Sequence, residues 1–112
     1  VAKELSLKRG EESVMLDGRL YWVREATAGA VQRFQKLIAG DMVLEDGLVV
    51  GMKGGPNVYR TVLLGLCVFN EDGHAIQASV IETWPDDVVE TLYQMVVDLT
   101  PTLRKKREMT EE

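Results

Sequence analysis

Two adjacent carboxylates, Asp86 and Asp87, stand in the stretch ETWPDDVV at 82–89. A carboxylate pair can serve as acid and base in hydrolysis. Neighbours in sequence, however, point about 100° apart on a helix, so they do not share one reacting atom well. Pro85 suits the first helical position, where its missing N–H is not needed. Thr83 lies just before it and can cap. Acids in the first turn meet the positive end of the helix dipole, worth about 0.3–1 kcal/mol each. The pattern therefore predicts that both aspartates start a helix.

The other reactive side chains give no more chemistry. His74 is the single histidine and follows Asp72-Gly73 in a turn. No nucleophile frame accompanies it, and no second histidine or spaced acid set offers a metal site. Cys67 sits in the apolar run LLGLCVF, where core packing is expected and an activating base is missing. GMKGGPN (51–57) has the glycines of a phosphate loop but not its Gly-Lys-Ser/Thr ending, so it reads as a mobile loop. LRKKRE (103–108) reads as a solvated helix end or a partner-binding tail. No catalytic residue, cofactor site or metal site is predicted.

The elements that hold these residues follow from pattern. In SVMLDGRLYWVREAT (13–27), two short apolar runs flank Asp17-Gly18, the strongest two-residue hairpin signal. Thr27 can cap a first helix over about 28–39, with Ala30, Phe34, Leu37 and Ile38 on one face and Gly40 just past its end. Met42–Leu44 and Leu48–Val50 flank a second Asp-Gly, which points to another hairpin. PNVYRTVLLGLCVF (56–69) restarts a helix, with Asn57 as its cap and Asn70–Gly73 ending it. Its apolar face is broad, as in a central helix. A helical turn near Ser79 leads to the last helix, from Pro85 to about Leu99, striped by Val89, Leu92, Val96 and Leu99. Pro101 ends that helix. The predicted fold is α+β, an N-terminal β-hairpin packed on a small bundle of about three helices. A single domain is expected over 1–112: a loose N-terminal arm at 1–12, a folded core at 13–100 and a charged flexible tail at 101–112.

The chain has 112 residues, 46% of them hydrophobic, and a formal net charge of −5. It lacks the basic stripe that neutralises phosphates, which argues against nucleic acid and against an anionic membrane surface. No apolar run approaches the ~20 residues of a membrane span. One cysteine allows no intrachain disulfide, so a reducing cytoplasm is the natural compartment. The N-terminal VAKELSLKRGEESV has no apolar centre of a signal peptide.

With chemistry set aside, surfaces remain. Tyr21 and Trp22 alternate in the first hairpin, so one of the two must face outward if the strand is regular. The outward ring is the candidate partner-binding residue. Trp84 is expected to cover the core. Met15, Met42, Met52 and Met95 suit adaptable apolar surfaces, or gap-filling in a core.

The order of the pieces resembles the tail assembly chaperones of long-tailed bacteriophages and prophages. The resemblance covers about residues 13–100. It runs from a hairpin ending YWVREAT through the helix VLLGLCVFNEDG to VIETWPDDVVETLYQMVVDL. The segment GLVVGMKGG looks like an insertion. The resemblance implies a protein without catalytic activity in the cytoplasm of a bacterial host. Its partner would be the long, helical, hydrophobic tape measure protein, bound before the tail tube polymerises. It also implies self-association as a homo-oligomer, and in many such families a ribosomal frameshift that yields a longer form. Two other functions fit an acidic, motif-free chain. One is a structural phage component, such as a minor tail or head–tail joining protein. The other is a small ligand-binding regulator or enzyme.

Overall fold

The computed structural model describes residues 2–45, 48–52 and 58–110, with side chains at 2–40 and 59–105. β1 (Glu11–Leu16) and β2 (Arg19–Arg24) pair antiparallel from Glu11↔Arg24 to Leu16↔Arg19. Asp17 and Gly18 join them at φ 51° and 78°, the two positive angles of a type I′ turn. The hairpin is the predicted one, begun two residues earlier than the pattern indicated. Arg9 and Gly10 account for that extension. Glu25 N–H donates to Gly10 O at 2.7 Å, Gly10 N–H to Glu25 Oε1 at 3.0 Å, and Arg9 Nη2 to Leu66 O at 3.1 Å. Arg9 Nε also donates to Glu25 O. Arg9 thus ties the chain to the last turn of α2 (Val58–Cys67), where a cation suits the exposed carbonyls. Residues 2–8 form no regular element.

α1 (Ala28–Asp41) starts at Thr27, whose hydroxyl accepts from Ala30 N–H at 3.2 Å. The helix continues through Gly40 and passes directly into β3 (Met42–Glu45). Gly40 does not take the positive φ of a helix-ending glycine, so it does not stop the helix. β3 pairs antiparallel with β4 (Leu48–Met52) in a separate two-stranded ribbon, the second hairpin. Its turn at 46–47, the loop at 53–57 and the Asn57 cap lie outside the described residues.

α2 is shorter than its pattern. Val68–Asn70 leaves the helix and forms β5, pairing antiparallel with β2 to give the order β1-β2-β5. Val68 and Phe69 carry β-favouring side chains. Their strand is fixed by Val68 opposite Val23 and by Ile76 N–H donating to Val68 O at 3.0 Å. An apolar run this short reads as helix or strand from sequence alone, and the pairing with β2 decides it.

α3 (Ala78–Ile81) is the predicted short turn, followed by α4 (Asp86–Leu99). Pro85 occupies the N-cap rather than the first helical position, with its carbonyl accepting from Val88 and Val89. Thr83 does not cap; its hydroxyl donates to Val80 O at 2.6 Å. Residues 101–110 differ from the expected flexible tail. They form α5 (Pro101–Thr110), with Pro101 in the favoured first turn. Leu103 is buried, and Thr100 Oγ1 accepts from the buried Ala26 N–H at 3.0 Å. These two contacts hold the start of a helix that its charged sequence disguises.

α2 is the central element. Leu63, Leu64 and Cys67 are fully buried with Val23, Val68, Ile81, Leu92 and Val96. At Gly65 a Cβ would lie 3.3 Å from the backbone nitrogen of Ala78, so the glycine lets α3 approach α2 closely. The architecture is α+β, a hairpin-based sheet packed on helices.

Candidate functional site

Two of the side chains with chemical capability, Asp86 and Cys67, are engaged in the fold. Asp86 and Asp87 lie in the first turn of α4. Asp86 Oδ1 receives Arg60 Nη2 at 2.5 Å, and Glu90, one turn later, receives Arg60 Nη1 at 2.7 Å. Arg60 is buried at 8% exposure and clamps α2 to α4. The hydrogen bond that Arg60 donates to Asp86 raises the arginine's pKa, against burial that lowers it. The Glu90 carboxyl is held below its usual range, first by the hydrogen bond with Gln94 and then by Arg60. Sequence reasoning missed this clamp. Its signal was a single arginine in an apolar helix and acids spaced i, i+4 at 86 and 90. Tyr93 is pushed up by burial.

His74 is exposed in the turn after β5, and its backbone N–H donates to Asn70 Oδ1 at 2.9 Å. Cys67 is fully buried, and burial pushes its thiol up to about 11, against the lowering influence of Arg9. A thiolate at neutral pH is therefore rare. The native protein should react with a thiol reagent orders of magnitude more slowly than the urea-unfolded chain. Equal rates in the two states would show an accessible nucleophile. Among the described residues no group of His, Cys, Asp and Glu could hold a metal ion, and no helix is long and apolar enough to cross a membrane.

The sheet separates the two aromatic candidates. Tyr21 shares the inner face with the buried Val23, and its ring meets Trp84 edge-on at 5.7 Å. Trp84 thus covers the core's edge. Trp22 lies on the opposite face. It pairs across strands with Phe69 and Ser13, while Met15 pairs with Leu20. Leu20, Trp22 and Phe69 are half-buried yet stand apart from the apolar side chains packed on the core, and Met15 is 62% exposed. Arg9 and Arg24 lie 5.3 and 4.6 Å from the centre of the Phe69 ring, and Arg24 Nε bonds Glu11 Oε2 at 3.0 Å. The outer face of the sheet is an apolar strip, Met15–Leu20–Trp22–Phe69, with a guanidinium border. A half-open strip of this kind, rimmed by charge, is the form of a docking surface.

No protein-family model matches the chain, and no curated protein matches it. Among solved structures, the fold is similar to that of the tail assembly chaperone of bacteriophage HK97. The TM-score is 0.59 at 19% identity, covering 81% of this chain and 85% of that one. At this identity what the two proteins share is the fold.

Proposed function

We propose that this protein is a non-enzymatic tail assembly chaperone of a phage or prophage. It binds the apolar helical tape measure protein in the bacterial cytoplasm and keeps it soluble until the tail tube polymerises. The observation that carries this reading is the fold likeness to the HK97 tail assembly chaperone over most of both chains. The outward strip on the sheet supports it, because a holding protein needs an apolar surface that its own core does not use. Trp22 is the anchor within that strip, and Tyr21 is occupied by Trp84. Self-association and a frameshifted longer form belong to the same proposal.

Co-expression with tape measure segments from the neighbouring gene tests it. The wild-type chain should retain and solubilise a segment in a pull-down. Trp22→Ala should weaken retention by about 2 kcal/mol, the usual cost of truncating an aromatic hot spot. Its circular dichroism should be unchanged, since the ring stands apart from the core. A wild-type chain that retains no segment, but is found in purified virions, would identify a structural tail component instead.

A further inference from the structure

A second apolar surface adjoins the outward strip. Val14 and Leu16 of β1 face Val88 and Leu92 of α4 across a groove of about 300 Å³. Met15 and Met95 line it as well, and Met15 also belongs to the strip, so the two surfaces are continuous. The volume is at the small end for ligand pockets, about 300–1,000 Å³. It suits a few aliphatic side chains, and two flexible thioethers can reshape around them.

The charge that lines this groove is acidic. Asp87 lines it, and no lysine or arginine does. Around it, Glu12 stands two residues before Val14 on the same face of β1 and Asp17 follows Leu16, while Arg19 of β2 stands opposite Leu16, so the surroundings carry a net negative charge. Asp87, Glu12 and Asp17 are exposed, and among the described residues none of them is in an ion pair. An anionic rim on an apolar groove selects against acidic partners and draws basic ones.

We propose that the β1–α4 groove seats leucine- or methionine-sized side chains from an amphipathic helix of the partner protein, and that lysine or arginine flanking those anchors meets Asp87. This is helix-in-groove recognition, with anchors at i and i+3 or i+4. It rests on the chaperone reading only in taking the partner to be helical, and it adds which face is used and the charge of the helix that fits.

The test uses the full chain and two fluorescent synthetic helices of about 18 residues, long enough to be helical in water. Both carry leucine at the anchor positions; one is flanked by lysine and the other by glutamate. By fluorescence anisotropy the lysine helix should bind about tenfold or more tighter than the glutamate helix, and added salt should narrow the gap. Asp87→Lys should reverse the preference, and Met95→Glu should abolish binding of either helix. Glu71→Lys, in the turn after β5, should leave the preference unchanged. Thermal melts by circular dichroism establish that each variant is folded. If Met95→Glu is unfolded, Asp87→Lys, at an exposed position, decides the outcome by itself.

Equal binding of the two helices, or equal loss in Asp87→Lys and Glu71→Lys, would overturn the proposal. Failure of the groove is separable from failure of the chaperone reading. Asp87→Lys retaining a tape measure segment as wild type does, while Trp22→Ala loses it, removes the groove alone. Charge-selective helix binding without retention of any tape measure segment removes the chaperone reading and leaves the groove.

Discussion

Neutralising Asp86 and Glu90 together, as Asp86→Asn with Glu90→Gln, should destabilise the protein by about 3 kcal/mol. Removing the arginine they share, as Arg60→Met, should cost less than about 1 kcal/mol. The asymmetry follows from where each charge sits. The Arg60 side chain is 10% exposed, whereas the Asp86 and Glu90 side chains are 76% and 47% exposed. Without its carboxylates the guanidinium is a buried cation with nothing to compensate its lost hydration. Without the guanidinium the carboxylates are two solvated anions. Arg60 Nε, moreover, has no hydrogen-bond partner, so methionine also removes an unsatisfied donor. Asp87→Asn should change stability by no more than the dipole contribution, about 0.3–1 kcal/mol. Urea midpoints at neutral pH measure all three. An Arg60→Met variant as unstable as the double amide would show that the clamp acts by pairing rather than by compensating burial.

The same clamp sets a direction with pH. The Glu90 carboxyl is depressed in the folded state, first by Gln94 and then by Arg60. A depressed acid contributes stability that is present above its unfolded pKa, about 4.3. That contribution is lost as pH falls through the lower folded value. The raised Arg60 works in the opposite direction: its contribution is complete below the ordinary arginine value and is lost only in strong alkali. Between neutrality and pH 5 the clamp is therefore constant, and it weakens in acid.

The parts of this fold that sequence reveals are those whose signals are local. Asp17-Gly18 specifies its turn by backbone conformation, Thr27 caps by reach of one hydroxyl, and the α4 stripe repeats at helical spacing. The parts that stay hidden depend on a distant partner. Val68–Asn70 is a strand because β2 lies beside it, and 101–110 is a helix whose docking rests on Leu103 and on the distant Ala26 N–H. The candidate site divides in the same way. Alternation along β2 establishes that Tyr21 and Trp22 face opposite ways. Only Trp84, more than sixty positions along the chain, decides which one turns inward. The β1–α4 groove has no sequence signature, because its walls come from two elements that each read as ordinary core.

Leu63→Ala should cost about 3–5 kcal/mol, the upper part of the range for leucine truncation at a site that cannot collapse. Leu63 is fully buried in α2, the helix that packs against α1, α3 and α4, so relaxation on one side opens a gap on another. A domain of this size has about 5–15 kcal/mol of stability in all. The variant should therefore be folded at 25 °C but close to its limit. Cys67, one turn along the same helix and fully buried, reports the loss. If its thiol is exposed only by global unfolding, labelling speeds up with the unfolded fraction, tenfold for each ~1.4 kcal/mol. An increase of about a hundredfold to a few thousandfold over wild type is then expected, matching the shift in urea midpoint. A much smaller increase beside the same loss of stability would mean that the thiol is reached by local opening, at the Arg9 tie over the end of α2, where Leu66 O holds the chain that covers Cys67.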